Sequence, residues 1–538
     1  MNKKFVSSLF AMLFGISLFA QEAEIKMPEQ LTKLMFTHNI ISRFYVDSIP
    51  ETKMVESGIK AMLKELDPHS TYSDPKEVKA LMEAMQGSFE GIGVQFNMVS
   101  DTLYVIHTTE GGPSEKAGIL AGDRIVAVND TAIAGVKMER SEIMRRLRGP
   151  KGSQVKVEVR RRAVNRPLYF TLTRDKIATS SVDAAYMIDK KNGYISINSF
   201  GATTYKDFST KLDSLKRRGM KNLIIDLQGN GGGYLNAAVD IANELLRESQ
   251  LVVYTEGRVF PRYDYVAKGG GKFTKGNVAV LIDETSASAA EILAGTIQDW
   301  DRGVVVGRRS FGKGLVQRSF NLPDGSMIRL TIARYYTPSG RNIQKPYGDS
   351  IPYTRDLVNR YNSGELMSAD SIHFPDSLKM TTKRLGRTVY GGGGIMPDYF
   401  VPLDTNKYTK YHRDLVRNGS ILQATLRYID NNRQSLQEKY PTVDKFIANY
   451  EVDEQLLSLL REQGEADSVK IEGGEEEYTR SLPQITRQLK ALVARDIWGS
   501  GEYLQIMNAD NEIFNKALEL IKEPNMDAVL TKRRKSNR

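Results

Sequence analysis

The sequence predicts an α/β protein of three or four units. Three observations carry that prediction. The chain has 538 residues, and globular domains average about 150 residues each. Between about 176 and 400, short apolar runs alternate with helical stretches, the βαβ pattern of a largely parallel sheet. The flanks differ from this centre. Helical spacing dominates 21–86 and the chain from 401 to 538, and short strands with glycine turns fill 87–165.

In chain order, the first segment is Met1-Asn-Lys-Lys-Phe-Val with an apolar run from Phe5 to Ala20. Two lysines, a short apolar region and a small residue at Ala20 predict a signal peptide over 1–20. The expectation is an exported protein, periplasmic and either soluble or peripheral to the membrane. Leu18 sits where a small residue is preferred, so an uncleaved anchor stays open. Two stretches from Glu29 and Met54 then carry apolar residues three and four apart, and Pro68 ends the second helix. Gly91-Ile-Gly-Val-Gln-Phe, Leu103-Tyr-Val-Ile-His, Arg124-Ile-Val-Ala-Val and Val155-Lys-Val-Glu-Val read as strands of a compact, partly open barrel, with one helix near Arg140 to Leu147. The central strands are Tyr194-Ile-Ser-Ile, Leu223-Ile-Ile-Asp-Leu, Val278-Ala-Val-Leu-Ile and Val304-Val-Val, with helices over Leu235 to Leu246 and Ser288 to Trp300. From 401 on the chain reads as helical, ending in a basic tail.

Composition removes several chemistries. There is no cysteine, which excludes disulfides, thiolate metal sites and a cysteine nucleophile. The five histidines, His38, His69, His107, His373 and His412, include no i, i+4 pair, so no His-x-x-x-His metal helix exists. No metal and no cofactor are expected. The net charge is +10, but five of the positive residues fall within Lys532 to Arg538. Elsewhere Lys and Arg are interspersed with Asp and Glu, a solvated surface and not a nucleic-acid footprint.

Four stretches could carry chemistry. Gly91-Ile92-Gly93-Val94 precedes a strand, and consecutive N–H groups in such a turn can hold a peptide carboxylate while the peptide adds as a strand. Taken alone, the stretch is better explained as a plain hairpin entry. Asp226-Leu-Gln-Gly-Asn230-Gly231-Gly232-Gly233 joins a buried strand to a helix, as a phosphate cradle, half of an oxyanion hole or a simple turn would. Thr285-Ser286-Ala287-Ser288-Ala289-Ala290-Glu291 puts a serine at a helix start. Ser288 could be a nucleophile there, or half of a capping box with Glu291. Gly307-Arg-Arg-Ser-Phe311-Gly312-Lys313-Gly314 nearly matches a phosphate-binding loop, but Gly314 stands where Ser or Thr would hold Mg²⁺. Its other reading is a lysine base, neutral through burial.

Together these stretches have a recognisable order. Gly112-Pro-Ser-Glu-Lys-Ala-Gly-Ile-Leu-Ala-Gly-Asp123 and the strand after it resemble a PDZ domain over 87–165. The PDZ-like segment, the Asn-Gly-Gly-Gly turn, Ser-Ala-Ser-Ala-Ala-Glu and Phe-Gly-Lys-Gly resemble the carboxyl-terminal processing peptidases. So do Leu66-Asp-Pro-His-Ser70, Tyr336-Thr-Pro-Ser-Gly-Arg341 and Tyr390-Gly-Gly-Gly-Gly-Ile-Met-Pro-Asp398. The resemblance implies a crotonase-like β/α peptidase core over 176–400 with an inserted PDZ domain. It implies a serine endopeptidase with Ser288 as nucleophile, Lys313 as base 25 residues on, and Gln317 positioning the lysine. Ala289 N–H and Gly232 N–H would form the oxyanion hole, and Gly91, Ile92, Gly93 and Val94 the PDZ carboxylate loop. Gln228 and Gly231 depart from the family's Arg and Pro. The implied partners are protein or peptide substrates with free C-terminal tails. An adaptor or activating protein and self-association stay open, as does a PDZ-bearing scaffold with an inactive core.

Overall fold

The computed structural model describes residues 28–99, 101–162, 164–348 and 353–532. The signal-peptide reading of 1–20 and the tail beyond Lys532 lie outside the described residues. Two compact units divide the chain at Leu66. The first holds helices α1 (Glu29–Phe44) and α2 (Glu51–Lys64). Each follows a proline and opens on a glutamate, which suits the positive end of the helix dipole.

The second unit starts with strand β1 (Thr71–Ser73) and helix α3 (Pro75–Gln86), so the expected helical region 21–86 belongs to two bodies. A capping box sets the start of α3: Asp74 accepts from Glu77 N at 2.8 Å and Glu77 accepts from Asp74 N at 3.0 Å. The PDZ-like body follows, with β2 (Ser88–Gly91), β3 (Val94–Val99), β4 (Thr102–Thr108), β5 (Arg124–Val128), β6 (Thr131–Ala132), helix α4 (Arg140–Leu147), β7 (Gln154–Arg160), β8 (Leu168–Thr173) and β9 (Asp175–Ala178). Strands β3-β4-β5-β7-β8 form one sheet with β6 beside β5. The expected boundary at 165 is therefore too early. β8 pairs with β7 through Val157↔Phe170 and Val155↔Leu172, and its Leu172 is buried in the same core.

The central sheet has the order β10 (Val182–Met187), β11 (Asn192–Ile197), β12 (Asn222–Asp226), β15 (Val278–Ile282), β16 (Val304–Gly307), β19 (Tyr399–Phe400), all parallel except the β10–β11 pair. Its strands are apolar on both faces, as a sheet covered on both sides must be. Ile195, Ile225 and Val280 point into one core with helices α5 (Thr204–Arg217), α6 (Leu235–Leu245) and α7 (Ala289–Asp299). Tyr194, Ile224 and Leu281 point into the other. A second sheet has the order β1-β18-β13-β14, from β13 (Leu251–Glu256), β14 (Tyr263–Val266) and β18 (Met327–Tyr336), with β17 (Leu315–Asn321) hairpinned onto β18.

The C-terminal region is helical but is not a single appendage. Helices α8 (Lys410–Arg417), α9 (Ser420–Lys439), α10 (Val443–Asn449), α11 (Glu454–Ala466) and α12 (Gly474–Ile497) make their own core around Tyr428, Phe446 and Leu489. After α13 (Ser500–Asn508), α14 (Glu512–Ile521) and α15 (Met526–Lys532) cover the second face of the central sheet with Phe514, Ala517 and Leu530. Helix α9 also meets the PDZ-like body. Its Leu426 packs on Tyr104 and Ile106, and Asp430 pairs with Arg124 and Arg162. Among the described residues no helix is long and apolar enough to cross a membrane.

Candidate active site

Ser288 caps the buried helix α7 with φ +55° and ψ −115°, a backbone state that non-glycine residues avoid. Its neighbours hold it there. Ala287 N donates to Asn230 O at 2.9 Å, and the Ser288 N donates to Glu291 Oε2 at 2.8 Å. Glu291 is fully buried and ties in the lysine loop as well. Its Oε2 also accepts from Lys313 N at 2.9 Å. Its Oε1 accepts from Gly312 N at 2.7 Å and from the Ser310 hydroxyl. The Tyr335 hydroxyl lies between the two loops, 3.2 Å from Ser288 O and bonded to Lys313 O.

Ser288, Lys313 and Gln317 line one cleft of about 880 Å³ with Gly231, Gly232, Arg329 and Tyr335. Burial lowers the Lys313 ammonium below the ordinary lysine value, and the positive Arg329 adds to the effect. Among the described residues no hydrogen bond joins the Ser288 hydroxyl to the Lys313 amine. Nor, among the described residues, does Gln317 accept a hydrogen bond from Lys313. Its Nε2 donates to Thr331 Oγ1 at 3.3 Å, and Thr331 Oγ1 donates to Asp67 Oδ1 at 3.1 Å.

The glycine turn reaches Ser288 closely. A Cβ on Gly232, at φ +95°, would sit 2.7 Å from Ser288 Cβ. The Gly232 N–H, expected in the oxyanion hole, donates instead to Asn230 Oδ1 at 2.8 Å. The reason is local. Asn230 is fully buried, its Nδ2 is used by Ile197 O, and its oxygen needs a donor. The Gly232 N–H must leave that acceptor to serve an oxyanion. Ala289 is the first residue of α7, where the helix itself leaves N–H groups unused.

Sequence reasoning missed a second layer. Asp67 accepts from His69 N, Ser70 N, the Ser70 hydroxyl and Thr331, which ties β1 to β18 behind Gln317. His69 shares a hydrogen bond with the Tyr353 hydroxyl at 2.7 Å. Burial and then the Lys313 charge lower it to about 4, so it is neutral at ordinary pH. The motif Leu66-Asp-Pro-His-Ser70 was the available signal. Among the described residues no group of three or more His, Asp or Glu is gathered as a metal ion requires.

The PDZ-like body has a pocket of about 70 Å³ between β3 and α4. Of the four loop residues expected there, Ile92, Gly93 and Val94 line it. Gly91 does not, because it pairs with Asp175 in β2–β9. Phe89, Phe96, Met144 and Leu147 supply the apolar wall, and Arg148 sits at the pocket, its guanidinium 4.7 Å from the Phe89 ring centre and 3.0 Å from Glu83.

The model of Peptidase family S41 matches residues 191–350, and that of the PDZ domain matches 91–172. The carboxy-terminal processing protease CtpA of Bacillus subtilis is 33% identical over 361 residues, covering 65% of this chain and 76% of that protein. The chain belongs to the carboxy-terminal processing proteases. The carboxy-terminal-processing protease of Bartonella bacilliformis is 34% identical over 321 residues, 58% of this chain and 71% of that one. Two further matches fall on the flanks of this family member: the N-terminal domain of the activating protease CtpB at 16–77, and a family of unknown function at 411–499. The solved photosystem II D1 C-terminal processing protease is 29% identical, covering 59% of this chain and 91% of that chain, with a TM-score of 0.34. The architecture is thus an S41 serine-peptidase core with an inserted PDZ domain between helical regions.

Proposed function

We propose that this protein is an exported serine endopeptidase that captures C-terminal tails at its PDZ pocket and cleaves them with Ser288 and Lys313. The observation that supports this most is the pairing of both loops on one buried carboxylate, Glu291, at the edge of a cleft that both side chains line. Ser288 Oγ attacks the carbonyl carbon of the scissile peptide as its proton passes to neutral Lys313 Nζ. The carbonyl electron pair moves to oxygen, where the Ala289 and Gly232 N–H groups receive it. The C–N bond then breaks, and the lysine ammonium gives its proton to the leaving amine. Water, losing a proton to Lys313, adds to the ester carbon, and the lysine ammonium returns that proton to Ser288 Oγ as the C–O bond breaks, leaving free serine and a new C-terminus.

The tail carboxylate would sit on the Ile92–Val94 loop with its last apolar side chain in the pocket. Helix α3 links this event to the cleft. Its Glu83 holds Arg148 at the pocket, while its Leu81 and Met85 line the cleft. An arriving carboxylate competes with Glu83 for Arg148, so capture is felt at the cleft. The engaged Gly232 N–H favours a second reading, a peptide-binding scaffold with an inactive core. A fluorophosphonate probe separates the two. Labelling mapped to Ser288, lost in Ser288→Ala and slowed in Lys313→Ala, is the expected result. No labelling with or without a tail peptide would support the scaffold.

A further inference from the structure

We propose that Arg329 is a carboxylate-binding subsite of the cleft, which takes an acidic side chain or a free C-terminus of the substrate on the leaving-group side of the scissile bond. The inference rests on the Ser–Lys reading of the same cleft and gives that reading a substrate class.

Arg329 lies on β18, opposite Ser319 of β17 and Thr71 of β1, and lines the cleft with Ser288 and Lys313. It is only half exposed. Its Nε is shut off from solvent and has no hydrogen-bond partner, and among the described residues its guanidinium forms no ion pair. A guanidinium whose Nε is withdrawn from water without an acceptor is an unfavourable arrangement that a bound carboxylate corrects.

The two buried carboxylates nearest the site are already saturated. Asp67 accepts from four donors, as does Glu291. Asp240, a carboxylate lining the same cleft, answers to Lys268 instead. The Arg329 position is therefore cationic and lacks an anionic partner among the described residues.

Its place relative to the chemistry follows from the base. Arg329 pairs with Ser319 of β17, the strand that begins two residues after Lys313, and both side chains line the same cleft, where the Arg329 charge also lowers the proton affinity of Lys313. Lys313 must reach the leaving nitrogen to protonate it, so a carboxylate at Arg329 belongs to the first residues after the cleaved bond. The planar fork of Arg suits a carboxylate in two-point contact, which a lysine offers only as a point charge.

The test uses the full chain and matched peptides with one fixed, apolar non-leaving half. One arm carries Glu, Gln or Lys two residues after the cleaved bond with a constant C-terminus. The other ends there, as free acid or as amide. The proposal predicts a preference for the acid over its neutral partner of about tenfold in kcat/KM. The preference should vanish in Arg329→Met, weaken but keep its sign in Arg329→Lys, which retains the charge without the fork, and turn toward the Lys peptide in Arg329→Glu. The arm that shows the Arg329-dependent preference names the source of the carboxylate. Equal rates for acid and neutral peptides in both arms, or a preference unchanged in Arg329→Met, would overturn it. Binding of the same pairs to Ser288→Ala gives a readout free of catalysis. An acid preference there that depends on Arg329, with no turnover by the unaltered protein, would reject the Ser–Lys reading and keep the subsite.

Discussion

Replacing Glu291 with glutamine perturbs the candidate site with almost no change of shape. Both carboxylate oxygens accept: Oε2 from Ser288 N and Lys313 N, Oε1 from Gly312 N and Ser310. Burial raises the acid's proton affinity, and the donors pull it back. With backbone donors on both oxygens the group functions as a carboxylate. Glutamine has one oxygen and one amide donor, so one pair of N–H groups or one N–H and the Ser310 hydroxyl must face an –NH₂. Two buried donors without acceptors cost ~1–3 kcal/mol each, or ~2–6 kcal/mol in all. Part of this appears as lost stability, which in a typical domain totals only ~5–15 kcal/mol. The rest appears locally, because Ser288 occupies a backbone state worth ~1–3 kcal/mol of strain that only its neighbours maintain. The assay is kcat/KM on a tail peptide well below the unfolding temperature, beside thermal unfolding. The expectation is a lowered Tm and a loss of about a hundredfold or more in kcat with KM little changed. A glutamine variant as active as the parent would refute the view that this carboxylate holds the two loops.

Other outcomes follow from the same contacts. Activity should rise with pH as Lys313 loses its proton, and Arg329→Met should move that limb to higher pH, since the Arg329 charge is one cause of the lowered lysine; a limb that stays in place would contradict the coupling. His69, lowered to about 4, is protonated less readily folded than unfolded, so its contribution makes stability fall as pH drops from about 6.5 toward 4; His69→Asn should flatten that part of a pH–Tm curve. Glu83→Gln frees Arg148 and should change cleavage of tailed substrates more than of tail-free ones; equal effects on both would argue against communication through α3. Asp430→Ala leaves Arg124, Arg162 and Tyr104 without their shared carboxylate. With the arginines partly exposed, a loss of ~1–2 kcal/mol is expected, visible as faster hydrogen exchange in β4, β5 and α9, and unchanged exchange there would count against this contact.

Much of the fold was legible because its signals are local. The runs Leu223-Ile-Ile-Asp-Leu and Val278-Ala-Val-Leu-Ile are apolar on successive residues, which is the mark of a sheet covered on both faces. Which elements supply the second cover was not legible, since α14 and α15 lie more than 200 residues further on and show only their own helical spacing. Ser288 and Lys313 stood out through short motifs. Glu291 read as a helix cap, and half of that holds in its bond to Ser288 N. Its other partners come from 19 to 22 residues along the chain and only the fold brings them to it. The direction of the Gly232 N–H depends on a buried Asn230 side chain, which no spacing reveals. Arg329 was missed although a period-two reading of β18 puts it on one face with Thr331 and Tyr335, the residues that touch Asp67 and both candidate loops.

The central claim is tested most directly by incubating an unfolded protein having an apolar C-terminus with the parent chain, Ser288→Ala and Lys313→Ala, and identifying the products by mass. The account predicts cleavage by the parent alone, dependent on a free C-terminus, with both variants folded and inactive. Cleavage that survives either substitution would contradict it.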